Sequence, residues 1–64
     1  MKPDRLLKIS EVERIISMSD TWIYEQIKAG KFPRQVQLST RCVRWKESDI
    51  AAWIAAQSPV DHPH

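Results

Sequence analysis

Sixty-four residues with a formal charge of +2 and a pI near 9.0 form one small, mildly basic domain, whose stability is expected to be marginal or shared with a partner because a chain of this length buries only about 60% of its unfolded surface. Its one cysteine, Cys42, excludes an intramolecular disulfide and a cysteine-based zinc set. No apolar run approaches a membrane span and no signal-peptide pattern opens the chain, so a reduced, cytoplasmic setting is expected. Charge is unevenly spread: Lys28, Lys31, Arg34, Arg41, Arg44 and Lys46 account for six of the ten cations, in a window that holds none of the eight acids. Such a window is either a positive face for a polyanion or a solvated, lysine-rich surface.

In chain order, Leu7 and Ile9, flanking Lys8, predict a short strand. Ser10 with Glu13 three residues on forms a capping-box pattern that opens a helix, along which Val12, Ile15 and Ile16 make one apolar stripe. Ser17-Met18-Ser19 interrupts it after about two turns. Ser19 is placed to cap a second helix over 20–29, with Asp20 in its first turn where the helix dipole favours an acid. Ile23 and Ile27 mark the buried side of that helix, and Gly30 follows where a left-handed residue ends it. Two short helices joined by a tight turn are the minimum helix-turn-helix unit.

Beyond Gly30 the period changes. Pro33 blocks a helix and pushes Phe32 to extended backbone. Val36 and Leu38 alternate with Gln35 and Gln37, and Val43 and Trp45 with Cys42 and Arg44, which predicts a β-hairpin turning at Ser39-Thr40-Arg41 without the glycine usual in such turns. From Glu47 onward Ile50, Trp53 and Ile54 share a helical face among strong helix-forming alanines, with Glu47 and Asp49 in the first turn. Ser58-Pro59 is expected to end this helix, and residues 58–64 to form a disordered tail. The fold class is therefore α+β, mainly helical: strand, helix-turn-helix, hairpin wing and C-terminal helix over residues 5–57, a winged helix-turn-helix.

The run "IYEQIKAGKFP", Arg41 followed four residues later by Trp45, and the closing "ESDIAAWI" together resemble the AlpA-type prophage regulators, small relatives of phage excisionases and of MerR-type DNA-binding domains. The matching positions are Ile23, Tyr24, Ile27, Gly30, Phe32, Pro33, Arg41 and Trp45, and the resemblance spans roughly Arg5 to Gln57. It implies a winged helix whose second helix enters the major groove while the hairpin meets the flanking backbone or minor groove. It implies a transcriptional regulator, or a recombination directionality factor acting with an integrase. This chain departs from the pattern where a basic residue is usual at Asp20 and often at Glu25, where Thr or Ser is usual at Trp22, and in its glycine-free wing turn.

With Ile23 and Ile27 inward, the opposite face of the second helix holds Thr21, Glu25 and Lys28, with Trp22 on one border and Tyr24 on the other. A reading helix need not be basic, since Glu can accept from cytosine N4 and Thr can bond a base edge or pack on a thymine methyl. Affinity comes mainly from phosphates, for which Lys28, Lys31, Arg34, Arg41 and Arg44 are the candidates. Each assignment has a plainer counterpart. Trp22 packs on the wing or on a second subunit, Tyr24 joins the core, Glu25 pairs with Lys28, and Arg44 is merely solvated. Cys42 reads as inert, and His62 and His64 lack matching metal ligands. No Gly-rich phosphate loop or Ser/His/Asp set is present, so no enzyme and no cofactor is expected. The partner expected is double-stranded DNA, bound as a homodimer or side by side on repeated sites because one such module reads only a few base pairs. The rival is an adaptor without DNA affinity that grips an integrase or RNA polymerase through Trp22, Glu11 and Glu13.

Overall fold

The computed structural model describes residues 4–57; the expected tail at 58–64, with Ser58-Pro59, His62 and His64, lies outside them. Leu6–Leu7 form a two-residue strand, β1. Ile9 does not extend it, but opens helix α1, Ile9–Ile16. The capping register differs from the expected one for the same reason. Leu7 pairs with Trp45, so Lys8 is the last extended residue. Glu11, three positions on, accepts the Lys8 N–H at 3.0 Å, which leaves Ser10 inside the helix and Glu13 free to accept the Asp20 N–H at 3.0 Å. The inward stripe is Ile9, Val12 and Ile16, Val12 buried and the other two half-buried, while Ile15, expected on the same stripe, is exposed at its border.

Ser17 ends α1 in the left-handed region, φ 58°, and the chain turns into α2, Asp20–Lys28. Ser19 caps α2 as the sequence predicts, its Oγ accepting the Trp22 N–H at 3.2 Å. At the other end Gly30 (φ 75°) donates to the Ile27 carbonyl and Lys31 to that of Gln26, the paired bonds of a glycine-terminated helix. Ile23 is fully buried and Ile27 half-buried.

Strands β2 (Val36–Ser39) and β3 (Cys42–Lys46) form the hairpin, and β1 pairs antiparallel with the far side of β3. The sheet order β1-β3-β2 puts β3 in the middle. Between Gln37 and Ser39 the register slips, so Leu38 is an extra, unopposed residue. The strict alternation expected there fails at this bulge, and Leu38 lies exposed instead of inward. Helix α3, Glu47–Ala55, follows β3 without a loop. Ile50 is buried and Trp53 half-buried, but Ile54, expected on the same face, is exposed. The helix is rolled toward Trp53, whose ring meets Phe32 at 4.8 Å and Trp22 at 6.4 Å between centroids.

Leu7, Val12, Ile23, Phe32, Trp45 and Ile50 make up the core, one or more from every helix and from both β1 and β3. The result is a small α+β architecture of three helices and a three-stranded antiparallel sheet among the described residues. Its N-terminal end is tied to α3 over a long sequence distance. Asp4 accepts from both the backbone N–H (3.1 Å) and the hydroxyl (2.6 Å) of Ser48, and the Glu47 N–H donates to the Arg5 carbonyl at 2.8 Å.

Candidate nucleic-acid interface

Two indole groups decide where the hairpin sits relative to α2. The connector between them, Lys31–Pro33, buries Phe32, and its carbonyls are held from both sides: Trp53 Nε1–H donates to Lys31 O at 2.8 Å, and Trp45 Nε1–H to Pro33 O at 3.1 Å. A connector satisfied in this way has little freedom to swing. Tyr24 adds a direct link, since its ring lies edge-on to Trp45, 6.1 Å between centroids.

The outward face of α2 carries Asp20, Thr21, Tyr24, Glu25 and Lys28, which line one shallow depression. Lys28 also lines an adjoining groove, walled by Ile27 from α2, by Arg34 and Gln35 from the chain entering the hairpin, and by Gln37 and Val43 from its two strands. No acid lines that groove. Lys28 thus borders both the helix face and the groove at the base of the hairpin, which it shares with Arg34. Gln35 and Gln37 were not among the expected site residues; the signal for them was their alternation with Val36 and Leu38.

The remaining expected residues divide by position. Arg41 is exposed in the two-residue turn with Thr40, at the hairpin tip. Lys31 is exposed on a different depression, shared with Asp49, Ala52 and Trp53. Arg44, for which the sequence leaves phosphate contact and plain solvation both open, lies opposite Val36 in the strand pair and is half-buried, its guanidinium donating to the Val43 carbonyl at 2.8 Å. Trp22 is half-buried against Trp53 at the edge of the core. The expected Glu25–Lys28 ion pair does not form within 4 Å.

Electrostatically the two ends of the molecule are unlike. The ion pairs among the described residues are Arg5–Glu11 at 2.8 Å and Arg5–Glu47 at 3.6 Å, both at the β1 end. Around them the carboxylates are well served with donors. Hydrogen bonds from Ser48 hold the Asp4 carboxyl below its ordinary value, and the Lys8 N–H, helped by the charge of Arg5, does the same for Glu11. No described carboxylate lies within 4 Å of Lys28, Lys31, Arg34, Arg41, Arg44 or Lys46. Among the described residues there is no cluster of three or more potential metal-ligating acids, histidines or cysteines, and no helix long and apolar enough to cross a membrane.

Comparison with known proteins places this sequence in a family. The chain is 39% identical over 54 residues to "Uncharacterized protein ORF88" of Enterobacteria phage P4, an alignment covering 84% of this chain and 61% of that protein. The chain thus spans about three fifths of the length of that relative. No solved structure matches. The family model described as "Prophage CP4-57 regulatory protein (AlpA)" matches residues 5–58, nearly all of the chain, which therefore belongs to the AlpA family of prophage regulatory proteins.

Proposed function

We propose that this chain is a sequence-specific, double-stranded DNA-binding regulator of winged helix-turn-helix type, in which α2 enters the major groove and the β2–β3 hairpin is a wing on the flanking phosphates. The observation that carries this reading is the acid-free groove joining Lys28 of α2 to Arg34 at the base of the hairpin, with Arg41 at its tip and no described carboxylate within ion-pair distance of any of the three. Cations left without protein partners are available to phosphates, which supply most protein–DNA affinity. The nine residues of α2 make a rod about 14 Å long, and its outward face carries hydrogen-bonding side chains sized for a groove about 12 Å wide. The connector pinned by Trp45 and Trp53 holds helix and wing in a fixed relation, so little order has to be imposed on binding. Phosphate contacts fall to Lys28, Arg34 and Arg41 first, with Lys31 and Arg44 less favourably placed. Thr21, Tyr24 and Glu25 face the bases, and Trp22 supports them from the core edge. One such module spans few base pairs, so binding as a homodimer or side by side on repeats is part of the proposal.

Fluorescence anisotropy tests it, using one labelled duplex from the DNA upstream of the chain's own gene and one scrambled duplex, each at several salt concentrations. Salt-sensitive binding that prefers the native duplex is the expected result. Equal binding to both duplexes contradicts sequence preference for that site and turns the search to attachment sites and to an excision role beside an integrase. No binding at low salt overturns the proposal in favour of an adaptor that grips protein partners.

A further inference from the structure

The described carboxylates have local reasons for their positions, with one exception. Asp4 accepts from Ser48, Glu11 from Lys8, Glu13 from the Asp20 N–H and Asp20 from the Thr21 N–H, while Glu47 pairs with Arg5. Asp49 has no such partner but sits in the first turn of α3, where the helix dipole favours it. Glu25 has neither kind of support. It is the sixth of nine residues in α2, past the turn where the dipole favours an acid, it accepts no hydrogen bond from a described residue, and Lys28 beside it is not within 4 Å. It is exposed, in the middle of the face that the proposed function turns toward the bases, sharing one depression with Thr21 and Tyr24.

A carboxylate on a surface that approaches phosphates is repelled by every duplex alike. The repulsion is offset only where a base edge presents a donor to it. We infer that Glu25 is a specificity-determining residue that reads cytosine, its carboxylate accepting a hydrogen bond from the N4 amino group in the major groove. This rests on the DNA-binding reading above. Among the bases, guanine shows the major groove only acceptors and thymine an acceptor and a methyl group, so neither satisfies a carboxylate. Adenine offers its N6 amino group, but the adjacent N7 acceptor repels a second carboxylate oxygen. Cytosine offers the amino group with no acceptor beside it on the same base. An uncharged glutamine at the same place presents a donor and an acceptor together, which is the complement of adenine N6 and N7.

The test is selection of bound duplexes from a randomised pool by the full natural chain and by its Glu25→Gln and Glu25→Ala variants. Anisotropy then follows on the selected duplex with each of the four base pairs at the position that changes. The expected result is a cytosine position favoured about tenfold by the natural chain, moved to adenine by Glu25→Gln and left without preference by Glu25→Ala, all other positions holding. Both variants replace an exposed side chain, and equal melting temperatures would exclude misfolding as a cause. If the variants select the same base as the natural chain at every position, the inference is overturned and the DNA-binding reading stands. If the natural chain binds DNA without any cytosine preference, the inference likewise fails alone. Failure of the natural chain to bind any duplex removes both.

Discussion

Neutralising Arg41 tests the wing directly, because salt dependence counts phosphate contacts. Each phosphate neutralised on B-form DNA contributes about −0.9 to the slope of log K against log salt. Five basic residues fall in or near the candidate interface, but the structure does not make them equal. Arg44 spends its guanidinium on the Val43 carbonyl and is half-buried, and Lys31 faces a separate depression beside Asp49. Lys28 and Arg34 line the acid-free groove, and Arg41 stands at the exposed turn. Three full contacts predict a slope of about −2.7 for each chain bound, a loss of affinity of about 40-fold per chain between roughly 50 and 200 mM salt. Arg41→Gln is expected to reduce the slope to about −1.8 and that loss to about 12-fold, whereas Lys31→Gln and Arg44→Gln leave the slope nearly unchanged. Arg41 makes no ion pair with a described residue, so its loss should not disturb the fold. The assay is anisotropy of a labelled duplex across the salt series. A slope that Arg41→Gln does not alter would refute the wing as a phosphate contact, and a slope near about −4.5 for each chain bound, with the number of chains fixed by sedimentation, would show that Lys31 and Arg44 reorient on DNA.

Two further outcomes concern the scaffold. Trp45→Phe removes the indole donor from the Pro33 carbonyl and leaves space in the core, so a loss of about 2 kcal/mol and a fall of roughly 8–16 °C in Tm are expected by thermal melting; a fall below a few degrees would show that the connector does not depend on that bond. The Asp4 carboxyl titrates below its ordinary value because Ser48 donates to it, so its contribution to stability is present above the unfolded-state pKa and disappears as pH falls through the lower folded-state value. Asp4→Asn should therefore flatten the acid side of the stability curve, below the ordinary carboxylate pKa, Glu11 supplying what remains, and an unchanged curve would mean that the Ser48 contact is not formed in solution.

Much of this arrangement is legible in the sequence where local chemistry decides it. Ser19 and Gly30 bound α2 because a cap and a left-handed residue act on their own neighbours. The outward face of α2 follows from the helical period alone. Local spacing fails where two registers satisfy it equally. Lys8 with Glu11 and Ser10 with Glu13 are both three apart, and only the pairing of Leu7 with Trp45 selects the first. The bulge at Leu38 and the bond from Arg44 to the Val43 carbonyl depend on how the hairpin twists, which alternation does not encode. Nor does sequence reveal that two tryptophans hold the α2–β2 connector, since their acceptors are backbone carbonyls that every residue carries. Glu25 and Lys28 have the spacing of an ion pair without forming one, which is what leaves the carboxylate open to another partner.

The central position of β3 bears on how such a protein can diversify. Its first half is laced to β2 and its second half to β1, with Trp45 in the latter. One residue added between Cys42 and Trp45 in an unbulged strand would reverse the facing of every side chain after it and drive Trp45 toward water. Residues added at Thr40-Arg41 would lengthen the hairpin while leaving that strand in place. Hairpin length is therefore free to vary at the tip, generation by generation, whereas the strand that carries the tip is constrained by the burial of Trp45.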